Sequence, residues 1–120
     1  MKKILIVDDE KEFLYLVEQM LKDAGFEAIG ATSGKDALKK AQEDHPDLIM
    51  LDIMLPDIDG ATVYRKLKEN GITSEIPIIF ISGVFSKEDA MRDKDFLHGK
   101  VFFTKPFDDK KLIDEINKLV

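Results

Sequence analysis

A chain of 120 residues is one domain's worth of sequence, and 24 acidic against 18 basic side chains leave a net charge of −6. That sign argues against direct nucleic-acid binding by this chain, and the lack of cysteine excludes disulfides, thiol catalysis and zinc–thiolate sites. No apolar run approaches the roughly 20 residues that span a bilayer, and Met1-Lys2-Lys3 leads only into a strand-length run. No membrane association is therefore expected, and the expected location is cytoplasmic.

Lys3–Val7 (KILIV) is short, apolar and β-branched, which predicts a first strand ending at Asp8-Asp9-Glu10. Phe13, Leu14, Val17, Met20, Leu21 and Ala24 then recur at helical spacing, with Gly25 as the stop. Phe26–Ala31 is a weaker second strand. Ser33 and Asp36 have the spacing of a capping box and open a helix with Ala37, Leu38 and Ala41 inward, closed by His45-Pro46. Leu48–Leu51 is an apolar run ending in Asp52, the pattern of a strand buried on both faces.

Gly60–Gly71 reads as a helix with Val63 and Leu67 inward and Gly71 placed for its C-cap. Pro77–Ser82 is a fourth strand, Ser86 to about Leu97 a helix, and Val101–Thr104 a fifth strand. After Lys105-Pro106-Phe107, Asp108 caps a last helix with Leu112, Ile113, Ile116 and Leu119 as its stripe. Strand and helix alternate five times. The expectation is an α/β fold, a single domain over residues 1–120 with a parallel sheet and helices on both faces.

In such a sheet the strand ends bring Asp8, Asp9, Asp52, Ser82 and Lys105 to one edge. Taken singly, each has an ordinary explanation: a helix-end charge, a turn cap, a strand-end hydroxyl, a solvated lysine. Together they make a specific site. Gathered carboxylates repel unless a cation joins them, and all-oxygen ligands favour magnesium, calcium or manganese. A lysine and a hydroxyl beside them suit an incoming phosphate, and a carboxylate is a competent nucleophile for making an aspartyl phosphate.

The whole chain resembles the receiver domain of the two-component response regulators. The motifs are the apolar strand into Asp8-Asp9-Glu10, Asp52 with Leu55-Pro56-Asp57 and Asp59-Gly60, Ser82-Gly83, and Lys105-Pro106-Phe107. The resemblance implies a flavodoxin-like doubly wound sheet, order 2-1-3-4-5, flanked by five helices. It implies that Asp52 accepts a phosphoryl group from a sensor histidine kinase or a histidine phosphotransfer protein. Asp8, Asp9, Asp52 and the backbone carbonyl of Met54 would surround Mg2+, with Mn2+ as an alternative. Lys105 would contact the phosphoryl group, Ser82 would move to hydrogen-bond it, and Phe102 would change rotamer with that movement.

The surface of the fourth helix, fifth strand and last helix would then control a downstream protein or output domain, as a monomer or a phosphorylation-dependent dimer. The Lys105–Pro106 bond resembles the family's cis peptide. Met54 and Val84 are apolar where the family often orients water, so slow loss of phosphate is expected. His98-Gly99-Lys100-Val101 and the charged helix before it depart from the family pattern and leave that helix's position open.

Other phosphate and metal folds fail on named residues. A dehalogenase-type phosphatase needs a second acid at Met54, and a dinucleotide site needs glycines where Asp8-Asp9-Glu10 stand. Gly30 to Lys35 is one residue short of a phosphate loop, and an EF-hand needs acids at Leu55 and Lys66. His45 and His98 are expected on the surface near helix ends. Two function classes remain: a phosphorylated switch, which catalyses its own phosphorylation and loss of phosphate, and a receiver-like interaction module acting without phosphorylation.

Overall fold

The computed structural model describes residues 1–83, 100–105 and 107–120. Five strands, β1 (Lys3–Val7), β2 (Glu27–Ala31), β3 (Leu48–Asp52), β4 (Ile78–Ser82) and β5 (Phe102–Thr104), form one parallel sheet in the order β2-β1-β3-β4-β5. The order reverses between β1 and β3, which opens a crevice at the carboxyl ends of those strands. Four helices flank the sheet among the described residues: α1 (Lys11–Asp23), α2 (Gly34–Asp44), α3 (Gly60–Glu69) and α4 (Asp109–Leu119). The helix expected over Ser86–Leu97, with His98 and Gly99, lies outside the described residues. So does Pro106, and with it the peptide expected to be cis.

Strand alternation sorts the core into two layers. Ile4, Ile6, Leu48, Met50, Ile79 and Ile81 pack with Leu14, Val17 and Leu21 of α1 and Leu112 and Ile116 of α4. Leu5, Val7, Ile49, Leu51 and Phe80 pack on the other face with Ala37 and Ala41 of α2 and Val63 and Leu67 of α3. Because both faces are covered, β1 and β3 carry near-continuous apolar runs rather than an alternation of apolar and polar residues.

The helix ends follow local chemistry, with some corrections. Gly25, at φ 91°, turns the chain out of α1, and Phe26 leaves the expected second strand to bury itself under that turn, its N–H donating to Leu21 O at 2.9 Å. Ser33 Oγ accepts from Asp36 N at 3.1 Å, but the Asp36 carboxylate pairs with Lys40 at 3.0 Å instead of closing the box. His45 ends α2 in the left-handed region, exposed as expected. The helix expected over Gly60–Gly71 stops at Glu69, and Gly71 is not its left-handed cap, since Gly25 is the positive-φ glycine among the described residues. Thr73 Oγ1 instead donates to Leu67 O at 2.6 Å and satisfies a terminal carbonyl. In α4, Asp108 caps as expected, whereas Leu119 is exposed and Val120 packs on the core in its place.

The amino-terminal edge of the sheet is held by bonds of a purely structural kind. Lys3 N donates to Asp47 Oδ2 at 2.7 Å and Lys3 Nζ to Asp44 O at 2.9 Å. Lys68 Nζ reaches Ser74 O and Ile76 O at 3.1 and 3.2 Å.

Candidate functional site

Strand register assembles the acids. β1 pairs with β3 so that Val7 lies beside Leu51, and the next rung sets Asp8 beside Asp52 on strands about 4.8 Å apart. Asp8 extends the ladder through its N–H to Ala31 O at 3.0 Å, and Ile53 does the same to Ile81 O at 3.1 Å. Asp8, Asp9 and Asp52 each offer a carboxylate oxygen within 4.8 Å of the others; Asp8 and Asp52 are buried and Asp9 is exposed.

Two short turns fix the carboxylates. Asp8 Oδ1 accepts from Glu10 N at 2.9 Å, and Asp52 Oδ1 accepts from Met54 N at 3.0 Å. Each is an Asx-type bond to the amide two residues on, and it leaves the second oxygen facing the crevice. Lys105 enters from β5, carried by its N–H to Ser82 O at 2.7 Å. Its Nζ lies 2.6 Å from Asp8 Oδ2, 3.2 Å from Glu10 Oε1 and 3.6 Å from Asp52 Oδ2. The fully buried Asp8 Oδ2 is thus held by its ion pair with Lys105. Ser82 is buried at the end of β4, next to Thr104 across the β4–β5 ladder.

Burial pushes the Asp52 carboxyl up to about 7, the nearby charge of Asp8 adds to the rise, and the Met54 N–H and Lys105 work against it. Burial disfavours the charge on Lys105, yet its contact with Asp8 and the charges of Asp52 and Asp8 outweigh that and hold the ammonium above its ordinary value. The pair is an acid reluctant to ionise beside a base reluctant to lose its proton. All-oxygen donors and crowded, largely buried negative charge together suit a hard divalent cation.

Two contacts were not legible as site features in the sequence. Asp57 stands there only as part of the Leu55-Pro56-Asp57 motif, but its carboxylate accepts from Gly34 N at 2.8 Å and Lys35 N at 3.0 Å, clamping the loop after β3 to the start of α2. Those bonds hold Asp57 down at about 2. Gly60 N donates to Ile53 O at 2.7 Å, and a Cβ on Gly60 would stand 2.5 Å from Asp52 O, so glycine is required against the Asp52 backbone. The expected switch aromatic, Phe102, is 47% exposed on β5, while Phe103 faces the core. Met54 is exposed, and Val84 lies outside the described residues.

Residues 4–117 match the family model of the response regulator receiver domain. The chain belongs to that family. Among curated relatives, this receiver domain is 36% identical over 92% of its length to the alkaline phosphatase synthesis transcriptional regulatory protein PhoP of Bacillus subtilis, covering 45% of that protein. It is 31% identical to protein PilH of Pseudomonas aeruginosa over all of this chain and 98% of PilH. It spans under half the length of PhoP and 26% of response regulator PleD of Caulobacter vibrioides. Among solved structures, the response regulator TrrA of Thermotoga maritima, in complex with Mg2+-BeF, is 30% identical with a TM-score of 0.84 and full coverage of both chains. The chemotaxis protein CheY4 of Vibrio cholerae is 28% identical with a TM-score of 0.83, over 100% of this chain and 99% of that one.

Proposed function

We propose that this receiver domain, taken as one unit over residues 1–120, is a phosphorylated switch in two-component signalling with Asp52 as acceptor. The observation that carries the reading is a buried Asp52 whose second oxygen, 3.6 Å from Lys105 Nζ, faces the crevice beside Asp8. The donor is a phosphohistidine on a sensor kinase or phosphotransfer protein. Asp52 Oδ2 forms the new P–O bond as the donor's P–N bond breaks. The imidazole nitrogen leaves with the bond's electron pair and takes a proton from solvent. Lys105 pairs with the phosphoryl oxygens, and Ser82 supplies a hydroxyl donor from the adjacent strand end.

Asp8, Asp9, Asp52 and the Met54 carbonyl are the residues to hold Mg2+, or Mn2+ in its place. A bound ion supplies positive charge that offsets the crowded acids and the incoming phosphoryl group. Phosphorylation adds about −1.5 to −2 charges and three acceptor oxygens at Asp52. Drawing Ser82 toward them vacates space that Phe102 fills, which changes the β5 surface and what docks there: a downstream protein, an output domain or a second copy. With apolar residues, Met54 and Val84, two positions after Asp52 and Ser82 in the sequence, the phosphate is lost slowly. Cytoplasmic placement fits a kinase-fed switch.

Incubation with acetyl phosphate and Mg2+, read by intact mass, tests the assignment. One phosphate adduct is expected on the native chain and none on Asp52→Asn. No adduct on the native chain would leave the interaction-module reading in possession.

A further inference from the structure

Lys105 has a fourth neighbour, and it carries no charge. The ammonium lies 4.1 Å from the ring centroid of Phe13, well inside the ≈ 6 Å reach of a cation–π contact. Phe13 sits in the first turn of α1, and its ring is set by its neighbours. Phe107 meets it edge to face at 5.8 Å and 89°, and Phe103 of β5 meets Phe107 at 6.0 Å and 68°. The lysine side chain is only 13% exposed, so the contact is largely dry, where such contacts are strongest.

We propose that Phe13 is a positioning residue for Lys105, its ring face holding the ammonium over the crevice as the partner that neither a metal ion nor a phosphoryl group can displace. The inference rests on the reading of Lys105 as the phosphoryl-binding cation. Its force lies in what the other three partners do during a cycle. Asp8 and Asp52 belong to the carboxylate cluster, so a divalent ion drawn there competes with Lys105 for both. Glu10 is 66% exposed, and water and salt weaken its hold. A neutral ring keeps its attraction through every charge state of the crevice. It restrains the flexible lysine near the place where phosphoryl oxygens arrive, so less chain freedom is lost on binding.

The test replaces Phe13 of the full 120-residue chain with phenylalanines bearing one, two and three ring fluorines. Fluorine drains the negative ring face while nearly preserving shape. The first readout is the rate of labelling by acetyl phosphate at saturating Mg2+; the second is the Lys105 titration followed by NMR of its side-chain ammonium in metal-free protein. The rate is expected to fall stepwise, several-fold across the series. The Lys105 pKa is expected to drop in the same order, with melting temperatures falling by no more than the weakened lysine contact implies and Phe13→Trp retaining native behaviour. A Lys105 titration that does not move along the series overturns the proposal, as does a flat rate in protein that labels normally. Failure of the native chain to label would instead count against the phosphoacceptor reading, and the titration would still decide the role of Phe13.

Discussion

Asp52 combines two properties that pull against each other: burial that favours its neutral form and a proposed role as phosphoryl acceptor that needs it ionised. The sign of its pH effect follows. The folded-state value near 7 exceeds the unfolded 3.8, so this group's contribution to stability is full below 3.8 and is lost as pH rises through about 7. In metal-free protein, the unfolding free energy should therefore decline between pH 5 and 8, and Asp52→Asn should flatten that slope. Urea titrations across the range measure it, and an equal slope in Asp52→Asn would show that the carboxyl is not the source.

The acids themselves were legible in the sequence, because each stands where an apolar run stops. What they touch was not. Glu10 and Phe13 are 95 and 92 positions from Lys105, and the sequence contains no local signal that a glutamate and a ring would close around that ammonium.

At the level of elements, apolar runs and caps located every described strand and helix to within a few residues. Errors fell where tertiary contacts overrule local preference: Phe26 is taken by the core, Gly71 loses the cap role to Thr73, and Leu119 yields to Val120. The Asp57 clamp shows the same limit, since its partners on α2 lie more than twenty residues away. Asp57→Ala removes acceptors from two amides at a helix start, which a helix end tolerates poorly. Faster hydrogen exchange at Gly34 and Lys35 is the expected result, and unchanged protection would deny the clamp any weight.

The outward Phe102 offers a second check on elements in motion. The chain has no tryptophan, so Phe102→Trp puts its one tryptophan on β5, excited selectively over the two tyrosines. Beryllofluoride with Mg2+, a stand-in for the phosphoryl group, should shift its emission to the blue as the ring leaves water. An emission maximum that stays put in protein shown to bind beryllofluoride would remove Phe102 from the switch.

The molecule as a whole is two apolar layers clamped on one sheet, with a charged crevice at the seam where the strand order reverses. Because the crevice gathers acids only in the folded state, a divalent ion that binds there should stabilise the entire domain. At a hundred times its dissociation constant, Mg2+ should add about 2.7 kcal/mol to unfolding, reversible by chelation. Calorimetry with and without EDTA measures this, and Asp8→Asn should reduce the gain. Fold class was legible at this scale because five alternations of strand-length apolar runs and helical patterns leave few other architectures. The helix expected between β4 and β5 falls outside the described residues, and the departures at His98-Gly99 belong with that stretch.

Lastly, the lysine and carboxylate bonds at the amino-terminal ends of the strands tie the chain together at the rim opposite the crevice. The connection from α3 to β4 runs along that border, with Gly71 and Ile72 exposed. A guest peptide or optical tag spliced between those two residues would sit across the full length of the sheet from Asp52. The domain is thus a ready scaffold for a sensor, with one rim to read and the opposite rim to carry the label.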